Sequence, residues 1–304
     1  MQIAKKAAII CANGLGDCLL MMVAALALKR QSYAVTIFHK QQRYLSPLFP
    51  NDYLWDIYAK EKLLTFDLLV LQNDLGKISL EIISNRKYLP KLIIFFTKEH
   101  IAREPSDFLF DPLQSMVQNI AYAMREITSL YNTHNDLLLP QGKHQKYPKR
   151  IAIHPTSGNI KKNWLPIQFL LLAKELQHIG YAPVFILSEK ERPLWSAFCT
   201  IPAIFFESIP LLAAYLYESG FCIGNDSGVG HLASNLQIPT LTIFSNRSLY
   251  PLWKPSWCKN ESILPYLPLP NFKGIHLRIR EWFWPIFVPL HKVISKLHKL
   301  TKYP

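Results

Sequence analysis

The sequence predicts an α/β protein of two successive halves, each built on a mostly parallel sheet. Three observations carry this: a strand–glycine turn–helix–strand opening, a second such series starting near residue 150, and a polar, basic stretch between them. The opening reads as a strand at 7–12 (AAIICA) ended by Asn13-Gly14, a helix at 19–29, and a strand at 35–38. Short apolar runs at 66–71 and 92–96 are further buried strands. A helix at 113–131 places Met116, Ile120, Met124 and Ile127 on one face.

At 140–149 the composition shifts: Pro140, Gly142 and Pro148 stand among Lys143, Lys146, Lys149 and Arg150 with almost nothing apolar, which reads as an interdomain linker. Beyond it come a strand at 151–154, a polar loop, a helix at 166–178 and a strand at 183–187. A helix at 210–217, a strand at 221–224 entering a glycine turn, a helix at 231–235 and a strand at 240–244 complete the series. The expected domains are 1–148 and 149–268, with no repeat visible between them in sequence. The remaining tail, 269–304, is aromatic and basic: Phe272, Trp282, Phe283, Trp284 and Phe287 alternate with Lys273, Arg278, Arg280, Lys292, Lys296 and Lys299, and 290–300 reads as a basic helix. It is expected either to meet an anionic membrane surface or to pack back on the first domain, its lysines solvated.

Composition bounds the function. The chain has 304 residues, is 50% hydrophobic and 18% charged, and carries a formal charge of +13. A disordered or low-complexity chain is excluded, and the surplus of cations calls for an anionic partner. Cys11, Cys18, Cys199, Cys222 and Cys258 are odd in number and contain no CxxC pair, against a disulfide framework or zinc ribbon and in keeping with a reducing cytosol. The longest clean apolar run, 18–28, has 11 residues, whereas a membrane span needs about 20. Asn13, Gly14, Gly16 and Asp17 interrupt what a signal peptide would keep apolar. The expected address is cytoplasmic.

Three loops carry chemistry. Asn13-Gly14-Leu15-Gly16-Asp17 lies between a strand and a helix, where Gly14 and Gly16 let a ligand approach the backbone and amides attract anions. Asp17 there either acts as a general base toward a sugar hydroxyl or simply complements the helix dipole. Asn225-Asp226-Ser227-Gly228-Val229-Gly230-His231 follows an apolar strand and offers backbone N–H groups to a diphosphate; Ser227 adds a hydroxyl, and His231 either faces the anion or is a satisfied helix residue. His154-Pro155-Thr156-Ser157-Gly158, followed by Lys161-Lys162-Asn163-Trp164, combines hydroxyls, amides and ammonium groups suited to phosphate oxygens; by itself it also reads as an exposed loop.

In this order, the GLGD turn, the HPTSG…KNW loop and the GNDSGVGHLA…IPTLTIF…WKP run resemble glycosyltransferase family 9, the bacterial heptosyltransferases of lipopolysaccharide core assembly, over about residues 7–255. The resemblance implies a GT-B fold, two Rossmann-like domains with mostly parallel sheets facing across a cleft, and inverting transfer without a metal or cofactor. It implies a nucleoside-diphosphate sugar donor, ADP-heptose-like, and a lipopolysaccharide-core or other glycolipid acceptor. With a lipid-borne acceptor, peripheral attachment at the inner face of the inner membrane follows. By the same resemblance Asp17 is the catalytic base, with Gly14 and Gly16 in the backbone loop near the acceptor. Thr156, Ser157 and Lys162 lie near the donor diphosphate, and Asp226, Ser227, Gly228 and His231 form the donor signature. Glu191, with Glu189 as the alternative, holds the ribose. Val229 and Gly230 stand where the family often has proline and methionine, and Ser245–Ser248 replaces a usual glycine turn. Two readings compete: a non-catalytic binder of anions or nucleic acid, against which the chain offers no nucleic-acid module, and a degenerate transferase that binds nucleotide sugar without turnover.

Overall fold

The computed structural model describes residues 4–98, 103–196, 201–266 and 283–301. The chain divides into two compact units, Met1–Leu138 and Leu139–Pro304. The first holds β1 (Lys6–Ile10), β2 (Ala34–Phe38), β3 (Leu54–Asp56), β4 (Leu68–Gln72), β5 (Lys91–Phe96) and β6 (Phe108–Leu109). They pair in the order β3-β2-β1-β4-β5-β6, every pair parallel. The second holds β7 (Tyr147–His154), β8 (Ala182–Ser188), β9 (Ala203–Phe206), β10 (Ser219–Asn225), β11 (Thr240–Ile243) and β12 (Asn260–Ile263). Their order is β12-β11-β10-β7-β8-β9, again all parallel. Counted from its own first strand, each sheet winds 3-2-1-4-5-6, the doubly wound order whose switch point lies between strands 1 and 4. The repeat missing from the sequence is therefore present in the topology.

Strand composition follows burial. Leu68-Leu69-Val70-Leu71-Gln72 is buried throughout, as a strand covered on both faces should be. Ala8, Ile10, Leu69, Leu71, Ile94 and Phe96 pack into one core of the first unit. Helix Leu15–Lys29 is apolar all round, and every residue from 18 to 28 is buried, so the long apolar run is a core helix. Helix Met116–Thr128 packs against it; a capping box of Ser115 and Gln118 starts that helix, and Ser129 in the left-handed region ends it.

Several expectations need correction. Helix Leu15–Lys29 begins four residues before the expected start, at the Gly14 N-cap, so Gly16 and Asp17 belong to its first turn. Helix Gly228–Asn235 likewise begins within the glycine run. The boundary falls at 138/139 rather than 148/149, because the polar linker is stitched to the second unit. The Gln145 N–H donates to the Tyr217 carbonyl at 2.9 Å, Tyr147 N–H to Glu218 at 2.9 Å, and Gln145 Nε2 to the Gly220 carbonyl at 3.0 Å. Hydrogen bonds hold a segment that has few apolar residues to bury.

The described part of the tail joins the second unit's core: Trp284, Val288, Val293, Leu297 and Leu300 pack with Ile151, Trp164, Phe169 and Ile263. The expected basic helix is Leu290–Thr301. Phe272, Lys273, Arg278, Arg280 and Trp282 of the tail, with Cys199, lie outside the described residues. The short strands β3, β6, β9 and β12 and helix Lys77–Ser84 were not anticipated.

Candidate functional site

Each chemical loop sits at the switch point of its own sheet. In the first unit, the Asn13–Asp17 turn leaves β1 beside the end of β4. Gln72, the last residue of β4 and only 4% exposed, donates from Nε2 to Asp17 Oδ1 at 2.7 Å and accepts from the Ala12 N–H at 3.1 Å. One amide thus fixes both the turn and the carboxylate. The Asp17 carboxylate folds back over Gly14, where a Cβ would stand 2.3 Å from Oδ2; any larger residue there would push the carboxylate aside. No side chain caps the helix start at Gly14. Gly16 is buried beneath the turn and Asp17 is half-buried.

Behind this turn lie groups that sequence reasoning missed. His39 is 2% exposed; burial holds its pKa down against the pull of the Gly14 and Ala12 carbonyls, and its Nδ1 accepts from the Gln41 N–H at 3.0 Å. The Cys11 thiol hydrogen-bonds with Cys18, and that bond, burial and the nearby Asp17 charge push its pKa well up. The thiol therefore stays protonated at neutral pH.

In the second unit the HPTSG loop leaves β7 and the GNDSG loop leaves adjacent β10. Asn225, 1% exposed, laces the two together: its Oδ1 accepts from the Trp164 N–H at 2.9 Å, and its Nδ2 donates to the Pro155 carbonyl at 2.7 Å. Gly224 lets the strands approach, since a Cβ would lie 2.5 Å from the His154 carbonyl. Across this junction Lys162 Nζ donates to Asp226 Oδ2 at 2.8 Å. The Asp226 side chain is 8% exposed and that of Lys162 35%, so the lysine charge is held at the rim by a nearly buried carboxylate.

Ser227 is the N-cap of helix Gly228–Asn235 yet makes no capping bond, and its Oγ is buried without a hydrogen-bond partner among the described residues. The first-turn amides of a helix have no α-helical acceptor; here the Gly230 N–H donates to the Ser227 carbonyl at 3.2 Å, and no side chain caps the start. Gly228 is half-buried at this start. His231, one turn in, is 3% exposed. Burial lowers its pKa to about 4, with Asp226 opposing, Lys162 reinforcing and the Trp253 carbonyl opposing. It is a neutral, packed ring, edge-on to Trp257.

The two candidate glutamates separate. Glu189 is exposed and paired with Arg192 at 2.6 Å. Burial raises the Glu191 pKa, but hydrogen bonds from Thr156 and from the Ser188 N–H and hydroxyl, with His154 nearby, more than offset this and hold it low. Glu191 therefore joins Thr156 at the mouth of the β7 loop. The Ser157 hydroxyl instead lies 2.7 Å from Asn163 Oδ1 and braces the loop internally.

Two tryptophans complete the frame. Trp164 Nε1 donates to the Pro285 carbonyl at 3.1 Å, and Trp284 Nε1 donates to the Lys161 carbonyl at 2.9 Å. The tail thus grips the lysine loop through reciprocal indole–carbonyl bonds. Gln72 and Asn225 carry no signal in the sequence beyond a polar side chain at the end of an apolar strand.

The sequence profile of glycosyltransferase family 9 (heptosyltransferase) matches residues 109–265. The chain belongs to glycosyltransferase family 9. Solved structures share the fold of this chain. E. coli ADP-heptose lps heptosyltransferase II is 16% identical, with 97% of this chain and 98% of that chain covered and a TM-score of 0.65. The glycosyl transferase family 9 protein of Veillonella parvula is 14% identical, with 99% and 98% covered and a TM-score of 0.67. E. coli heptosyltransferase WaaC with ADP is 12% identical, with 97% and 100% covered and a TM-score of 0.64. At these identities the likeness establishes the shared α/β fold. No curated protein matches the chain by sequence. Among the described residues no cluster of three His, Cys, Asp or Glu side chains suits a metal, and no helix is long and apolar enough to cross a membrane.

Proposed function

We propose that this family 9 glycosyltransferase moves a heptose-like sugar from an ADP-linked donor to a hydroxyl of a lipid-linked saccharide, with inversion at the anomeric carbon. The observation that carries the reading is the uncapped helix start after β10, with its orphaned Ser227 hydroxyl beside the Lys162–Asp226 pair. Amides, a hydroxyl and an ammonium group converging there suit a diphosphate. The similar structures named for ADP-heptose and for ADP support the choice of donor.

In this reading the acceptor oxygen forms a bond to the anomeric carbon as Asp17 takes its proton. The bond from that carbon to the diphosphate oxygen breaks, and ADP leaves from the opposite face. Lys162, Ser227 and the amides from Gly228 onward stabilise the charge gathering on the diphosphate, a kind of preorganised contribution worth about 3 kcal/mol per well-placed donor. Glu191 accepts from the ribose hydroxyls, Thr156 and Ser157 shape the loop around the donor, and neutral His231 packs beneath it. The reading needs no metal or cofactor, so transfer should persist in a chelator. A lipid-borne acceptor would bring the enzyme to the inner face of the inner membrane as a peripheral protein.

The test is sugar transfer from ADP-heptose to lipid-linked core acceptors, run beside ADP-induced thermal stabilisation. Asp17→Asn should keep the stabilisation and lose about 10²- to 10⁴-fold in rate, the usual worth of a general base. An unchanged rate rejects Asp17 as the base. Transfer only from sugars on another nucleoside diphosphate rejects the ADP assignment.

A further inference from the structure

Helix Leu290–Thr301 buries Val293, Leu297 and Leu300 and turns Lys292, Lys296 and Lys299 to the other side, four and three residues apart on one face. That face is concave. Together with Ser262 and Tyr250, the three lysines line a cavity of about 350 Å³ against the end of β12. One carboxylate answers them: Glu261 accepts from Lys296 Nζ at 2.6 Å. Among the described residues, neither Lys292 nor Lys299 has a carboxylate partner. Lys292 is held at the rim with its Nζ 5.2 Å from the Tyr266 ring centroid. Two ammonium groups without a carboxylate partner in one concavity call for a compact, multiply charged oxyanion, which lysine binds as a point charge.

The geometry points to a second anion site, distinct from the switch-point loops, in which Lys292 and Lys299 bind a phosphate group, carried by a lipid headgroup or free in solution. The inference stands apart from the transfer reaction, since none of these residues is assigned a part in it. The full chain is compared with Lys292→Gln/Lys299→Gln, and with Lys143→Gln/Lys174→Gln as a control of equal charge loss. Inorganic phosphate is titrated calorimetrically into protein already saturated with ADP, and vesicles of equimolar phosphatidylcholine and phosphatidylglycerol are cosedimented. The pocket variant should weaken binding where the control does not. A loss of roughly thirtyfold on vesicles, about fivefold per lysine near an anionic surface, assigns a headgroup. A loss confined to inorganic phosphate assigns free phosphate, and a loss on both assigns the phosphate group from either source. No binding by the unaltered chain, or equal losses in the two double variants, overturns the inference. ADP titration of the pocket variant should match the unaltered chain; a parallel loss of ADP binding would merge the two sites and also overturn it.

Discussion

Gly14 and Asp17 act as one unit. The carboxylate occupies the space a Cβ at Gly14 would need, and Gln72 holds its other oxygen. Gly14→Ala should therefore swing the carboxylate off Gln72 and cut turnover more than tenfold with ADP binding unchanged, as read by steady-state kinetics beside calorimetry. Asp17 and Asp226 were legible as carboxylates in glycine-rich turns at strand ends, and Lys162 through the resemblance of its loop to the family's. Gln72 and Asn225 were not, because their roles exist only when two strand ends, 55 and 61 residues from their partners, are brought side by side. His231 reads both ways in the sequence, as a group facing the anion or as a packed helix residue; it is 3% exposed, and burial lowers its pKa to about 4.

Among the elements, the turn Trp284–Phe287 and the lysine loop exchange indole–carbonyl hydrogen bonds. Trp284→Phe keeps an aromatic ring but removes the hydrogen bond from Nε1 to the Lys161 carbonyl. It should cost about 1 kcal/mol in thermal unfolding and weaken ADP binding several-fold through the displaced Lys162. Elsewhere, Arg86 forks onto Asp107 at 2.6 and 3.0 Å, and the same carboxylate accepts from the Ile94 and Glu104 N–H groups. Arg86→Met leaves a buried charge unanswered and should destabilise the fold by about 3–5 kcal/mol, measured by denaturant unfolding, without altering ADP affinity in the folded protein. Strong apolar strands and long helices could be read from the sequence. The edge strands β3, β6, β9 and β12 could not, because two to four residues carry too little periodicity to outweigh the surrounding turns.

At the scale of the molecule, two sheets of different sequence share one winding, and each places its reactive loop at the switch point, the crevice that this winding opens at the carboxyl ends of its strands. The fold class was legible because βαβ punctuation repeats. The common strand order was not, because order is set by pairing across distance. Buried histidines give the whole chain an acid limit. His231 has a folded pKa of about 4 against about 6.5 when unfolded, so the fold favours the neutral ring. That preference is fully present above pH 6.5 and is lost as pH falls toward 4, about 3 kcal/mol in all. Burial shifts His154 and His39 in the same direction. Stability followed from pH 7 to 4 should fall, and His231→Gln should flatten that limb.

The central claim is that the loops after β7 and β10 grip the diphosphate of the donor. Calorimetric titration of ADP into the unaltered chain and into Lys162→Ala tests it most directly. The account predicts saturable one-site binding that the substitution weakens at least tenfold, because it removes the ammonium group and leaves Asp226 buried without its partner. Absence of binding to the unaltered chain, or equal affinity in the two proteins, would contradict it.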